Sequence, residues 1–327
     1  MADHMKALGI SGKRLITPII VALLLLCLCF AILALPGIRD EIALAPLENN
    51  RWLASALATQ VFASLLFIYA WKSILRLQSR VDCSFAECSA HIGVTLLGKY
   101  LPGKIWGLLG RSYLLTRRGL SPGVAMNLLL ADQYVTFYTG FLLGIAALIA
   151  FYQPVLAIVC LILFACVYPL SLRYFDRIAD FASRMLRSLA SKTEQRPTTD
   201  FSLLNYRYFY IAFAAYCAHW LLTATVLGLL FYPQLSADPV TGFMIITAAI
   251  PLAMLLGFLA VWAPGGIGVR EGTIVAILAL YFPVDFAISI AIYYRMICVV
   301  IDLSIGAFAT FYLLKTVPYL IDESGER

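Results

Sequence analysis

The residues able to do chemistry in this chain are charged side chains set inside long apolar runs. Lys99, Lys104 and Arg111 surround the interruption Leu101-Pro102-Gly103. Arg270 and Glu271 follow a second interruption, Pro264-Gly265-Gly266-Ile267-Gly268. Asp132, His219, Arg295 and Asp302 stand within otherwise apolar stretches. A charge in hydrocarbon costs roughly 2.5–3.5 kcal/mol on insertion scales, so such residues are either functional or paired. Two readings stand. In one, Arg270–Glu271 and Asp132–Arg295 are structural ion pairs. In the other, the cations meet an anionic ligand, and Asp132 and Glu271 balance them between ligands or carry protons that drive a cycle. Lys99 and Lys104 serve either as ligand groups or as snorkelling cations. His219 reads as a hydrogen-bonded core residue, and Tyr293 and Tyr294 as packing.

The interruptions have a chemistry of their own. Proline removes a backbone donor and glycine adds freedom, so a helix breaks there. A half-helix starting at Gly103 or Gly265 would present unpaired N–H groups and positive potential, which suit a phosphate. The motifs of other chemistries are missing. The sequence has no HExxH, GxSxG, Walker loop or DxD pair, and Gly266-x-Gly268 follows no predicted strand. No catalytic residue, metal or cofactor is expected.

The elements that must hold these groups are helices in a bilayer. Of 327 residues 62% are hydrophobic and 13% charged, with mean hydropathy +0.89. Soluble domains carry about 25% charged residues. Runs such as Leu15–Leu35 and Ala125–Ala150 reach the ~20 residues needed to cross hydrocarbon. There the backbone must bond to itself, which requires helix. The expected fold class is all-α: one integral membrane domain, a transmembrane bundle of about six full spans plus two broken helical hairpins. The spans are placed near 15–35, 51–75, 121–150, 153–172, 203–231 and 285–315, and the broken elements at 85–116 and 240–281. The broken elements are read as re-entrant, against the alternative of kinked pairs of spans. Residues 174–190 have helical spacing with one arginine-rich face, as expected of a helix in the cytoplasmic interface or of a solvated connector. Most of the eight cysteines lie in apolar runs without a CxxC, as small core residues do. The net charge of +6 points to basic loops, not to nucleic acid.

The breaks resemble each other. Pro102-Gly103-Lys104-Ile105 with Gly110 matches Pro264-Gly265-Gly266-Ile267 with Gly272. A shift of about 162 residues also carries 121–150 onto the last span. This suggests an inverted repeat, 51–150 and 203–315, whose paired interruptions mark a transporter's binding site. Basic residues gather in alternate loops, which predicts that both termini are cytoplasmic; the expected location is the plasma (bacterial inner) membrane.

The stretch Pro264-Gly265-Gly266-Ile267-Gly268-Val269-Arg270-Glu271-Gly272 resembles the transmembrane region of the lysylphosphatidylglycerol synthase/flippase family. Gly98-Lys99-Tyr100-Leu101-Pro102-Gly103-Lys104-Ile105-Trp106, with Arg111, is similar to that family's first motif, and Arg295 to its late arginine. The similarity covers roughly 15–315. It implies a lipid-handling domain and, in bifunctional members, movement of an aminoacylated phospholipid made by a separate soluble domain. Expected partners are membrane lipids: an anionic phospholipid, a glycolipid or a polyprenyl-phosphate. Envelope-biosynthesis enzymes and a second copy of the chain are further partners that the sequence leaves open. The alternative function is a membrane-embedded headgroup transferase or its accessory subunit, with Asp132, Glu271 or His219 as acid/base.

Overall fold

The computed structural model describes residues 50–77, 82–101, 105–189, 206–231, 235, 238–260 and 262–322, without side chains at 50, 173, 176–189, 206, 264 and 317–322. Among these the chain is helical throughout, with no strand. In chain order the helices are α1 (Asn50–Leu75), α2 (Phe85–Gly98), α3 (Trp106–Thr116), α4 (Pro122–Tyr152), α5 (Pro154–Leu189), α6 (Tyr206–Leu230), α7 (Pro239–Leu259), α8 (Val269–Leu278) and α9 (Val284–Asp322). Among the described residues six helices carry stretches long and apolar enough to cross a membrane: Arg51–Leu75, Pro122–Tyr152, Pro154–Leu172, Arg207–Leu230, Pro239–Leu259 and Val284–Thr316. The chain is a polytopic helical membrane protein. The first expected span, 15–35, lies outside the described residues.

Both expected interruptions are present, between α2 and α3 and between α7 and α8. Proline alone does not make them. Pro169 and Pro251 sit inside α5 and α7 without breaking either helix. At the second interruption the work falls to glycine: Gly265, Gly266 and Gly268 have φ of 61°, 73° and 80°. Side chains with a Cβ rarely adopt this region. α8 consequently begins at Val269, after a 3₁₀ turn at Pro264–Gly266, and not at Gly265 as the sequence suggests. α3 likewise begins at Trp106, not at Gly103. A second correction concerns 174–190. These residues are helical as far as Leu189, but they continue the preceding span as part of α5 instead of forming a separate element.

The chain divides into two compact units. The larger comprises Asn49–Cys88 and Ser112–Leu255. There α1 packs on α6, with Phe67 edge-on to Tyr216 at 5.3 Å and the His219 ring donating from Nδ1 to the Ala63 carbonyl at 2.9 Å. That bond gives His219 the core role expected of it. α4 starts at a Ser121 cap followed by Pro122, and it carries the buried Asp132. Gly144 of α4 lies so close to α7 that a Cβ there would meet Leu252 Cγ at 2.7 Å.

The smaller unit comprises, within the described residues, Ser89–Arg111 and Leu256 onward. It gathers both interruptions, one from each of the expected repeats. α2 and α3 form an antiparallel hairpin closed at backbone distance. A Cβ on Gly98 would stand 2.4 Å from the Gly107 nitrogen, and one on Gly107 would stand 2.7 Å from the Thr95 carbonyl oxygen. α2 also lies against α9, where Gly93 faces the Ile305 carbonyl and Gly306 faces Leu97. α8 turns back along α9 through residues 279–283.

Candidate functional site

Helix ends leave carbonyl and N–H groups without intrahelical partners, and hydrocarbon offers none. In the smaller unit the two interruptions supply each other's needs. The Gly265 N–H donates to the Lys99 carbonyl, just beyond the end of α2, at 2.8 Å. The Gly265 carbonyl in turn accepts from Arg295 Nη1 at 3.2 Å. The backbone of one residue, Gly265, thus ties both interruptions to α9.

Side chains reinforce the junction. Lys99 Nζ lies 2.6 Å from Asp302 Oδ2, and the Tyr100 hydroxyl donates to the same oxygen at 2.5 Å. The Tyr100 ring lies against Gly265 and 6.0 Å from the Arg295 guanidinium carbon, within cation–π range. Arg295 Nε is 3.3 Å from Glu271 Oε1. The other Glu271 oxygen accepts the Gly268 N–H at 2.7 Å, at the start of α8. The structural pair of the first reading, Arg270–Glu271, is not the one formed among the described residues: Glu271 pairs with Arg295. Adjacent residues on a helix do not face each other, so Glu271 turns to the neighbouring helix.

Arg270 folds back along the second interruption. Its stem fills the space beside two glycines: a Cβ on Gly257 would meet its Cγ at 2.3 Å, and one on Gly266 would meet its Nε at 2.7 Å. Arg270 is 6% exposed and Arg295 5%. Among the described residues Arg270 Nε and Nη1 and Arg295 Nε and Nη2 have no hydrogen-bond acceptor. Both guanidinium groups border the Gly265–Gly266 turn. The connected set holds three cations (Lys99, Arg270 and Arg295) against two carboxylates (Glu271 and Asp302), and Arg111 is buried in the same unit. Its chemistry is that of a positive, hydrogen-bond-donating niche for an anion.

The sequence expectations fall into three groups. Lys99, Gly265, Gly266, Gly268, Arg270, Glu271 and Arg295 come together, with Pro264 in the backbone of the turn and Arg111 buried in the same unit. Pro102, Gly103 and Lys104 lie outside the described residues. Asp132 belongs to the larger unit, where it accepts a hydrogen bond from the Tyr216 hydroxyl. The backbone differs from the expected phosphate cradle, because the N–H groups of Gly265, Gly266 and Gly268 already have acceptors in Lys99, Ala263 and Glu271. Two members of the cluster were not foreseen as site residues. Asp302 stood out as a buried charge and went without a partner, and Tyr100 gave no signal beyond its place beside Lys99. Among the described residues no group of three or more His, Cys, Asp or Glu could hold a metal ion.

These features define a class: a polytopic helical membrane protein with a buried cationic cluster where two interrupted helices meet. A family model described as "Lysylphosphatidylglycerol synthase TM region" matches residues 14–306. The chain belongs to that family, which links it to lipid handling. A comparison with the curated proteins found no match.

Proposed function

We propose that this protein moves an anionic or phosphate-bearing lipid, glycolipids included, between bilayer leaflets. The observation that carries the reading is the excess of buried positive charge at the junction, with guanidinium donors that have no acceptor among the described residues. A headgroup crossing hydrocarbon must shed water, and a niche lined with fixed donors lowers that barrier while the acyl chains stay in lipid. Helix lengths support a site at depth. α3 and α8 have 11 and 10 residues, which at about 1.5 Å per residue is close to half the ~30 Å hydrocarbon thickness. Family membership supports lipid as the cargo class. The basic loops favour an orientation with both termini in the cytoplasm. Lipid-modifying envelope enzymes are the natural suppliers of such a cargo.

Reconstituted vesicles carrying a fluorescent anionic lipid test the proposal. Wild-type protein is expected to expose the label to an external quencher. Arg270→Ala, inserted to the same level, is expected to slow exposure at least about tenfold, since a charge-assisted contact contributes more than 1.4 kcal/mol. Equal rates would refute the reading. A change in the lipid's mass would identify a transferase instead.

A further inference from the structure

An anion already occupies part of the niche, and it belongs to the protein. The Glu271 carboxylate lies at the amino end of α8, with Oε2 on the Gly268 N–H and Oε1 beside Arg295 Nε. A helix amino end is an anion seat by geometry and dipole. The second and independent observation is Arg270. Its side chain is buried, lies back against Gly266 immediately before α8, and has two donor atoms without an acceptor among the described residues. Arg295 adds two more, Nε and, beside Gly265, Nη2. The planar carboxylate accepts one hydrogen bond here, from Gly268, and only pairs electrostatically with Arg295 Nε, which leaves four donor atoms of the two arginines without an acceptor among the described residues. A tetrahedral phosphate offers further oxygens to the same positive face.

We infer that Glu271 is a built-in stand-in for the ligand's phosphate, and that a phosphate group binds by displacing the Glu271 carboxylate from Gly268 and Arg295. This rests on the lipid-transport reading and adds the identity of the seat and its internal competitor. Glu271 is suited to leaving. Its side chain is 28% exposed, against 5% for that of Arg295. Arg295 stays anchored through the Gly265 carbonyl when the carboxylate departs. Glu271 then acts as a brake on affinity. It keeps the buried arginine charge partly neutralised between transport events and opposes tight capture of any single headgroup.

The test is a calorimetric titration of the purified full chain in detergent with inorganic phosphate and, separately, with short-chain phosphatidylglycerol. Glu271→Gln keeps the side chain's shape and removes its charge. It is expected to bind both probes about tenfold more tightly than wild type, the gain from removing an internal competitor that fills the seat nine-tenths of the time. Glu271→Asp keeps the charge but is too short to reach Gly268 and Arg295 together. It is expected to shift affinity in the same direction, and it decides the matter if Glu271→Gln does not fold. A folded variant that binds neither probe better than wild type would overturn the inference. In that event, if Arg270→Ala still slowed lipid exposure, the transport reading would stand without it. Tightening for phosphatidylglycerol alone would identify a lipid headgroup as the ligand, and tightening for phosphate alone a free anion.

Discussion

Gly98→Val is expected to unfold the α2–α3 hairpin. A Cβ at residue 98 would stand 2.4 Å from both the nitrogen and the Cα of Gly107. Those atoms are backbone, so no side chain can swing aside, and the two helices must separate. Separation would also draw Lys99 and Tyr100, one and two residues on, away from Asp302 and Gly265. Overpacking a tight contact costs about 1–3 kcal/mol where side chains can adjust, and here the loss should exceed about 3 kcal/mol because they cannot. Thermal unfolding of the purified protein would show it as a large drop in Tm. Gly272→Ala is the matched control. Gly272 holds the position in the second broken element that Gly110 holds in the first, yet nothing lies within 4 Å of its added Cβ. Alanine there should leave stability unchanged or raise it by up to about 1 kcal/mol through helix propensity. A Gly98→Val protein as stable as wild type would show that the hairpin is not closed at backbone contact.

Lys99→Met is expected to be the most costly single change among the charged residues. It removes the cation 2.6 Å from Asp302 Oδ2 and leaves a buried carboxylate with the Tyr100 hydroxyl as its remaining partner in the junction. Breaking a buried pair from one side costs about 3–5 kcal/mol, because the stranded charge keeps its desolvation penalty. The Lys99 side chain is partly exposed, which places the loss at about the lower end of that range. The double variant Lys99→Met with Asp302→Leu strands no charge and should recover most of the loss. A double-mutant cycle on unfolding free energy measures this directly. Additive effects of the two changes would show that the pair contributes no coupling.

Much of the architecture was legible because lipid imposes a simple code. A run of apolar residues long enough to span must be helix, and five of the six described spans fall within a few residues of their expected limits; the sixth, Pro239–Leu259, was expected only as part of the broken element 240–281. The interruptions were legible from Pro102-Gly103 and Pro264-Gly265-Gly266. Where α8 starts was not, because that depends on which glycines take positive φ, and Gly268, beyond the proline-glycine core, is one of them. The arginines were legible as buried charge, but their partners were not. Glu271 follows Arg270 in sequence yet serves Arg295, since consecutive helical residues point in different directions. Asp302 and Tyr100 are 202 residues apart, and nothing local in either segment announces the other. Tyr100 was missed for a further reason. A tyrosine in an apolar run reads as packing, and only the fold shows that its ring lies against Gly265 while its hydroxyl holds Asp302.

α9 carries Arg295 and Asp302 on one unbroken helix, the first serving the interruption before α8 and the second the interruption after α2. Seven residues span almost two whole turns, about 10.5 Å of rise. The helix is thus a ruler with two fixed marks, and the distance between the docking points is written into residue count. Inserting a single residue between the marks would swing one of them roughly 100° around the axis relative to the other, so only one docking point could be met at a time. Loops elsewhere in the chain can lengthen or shorten, whereas this interval has no tolerance in length.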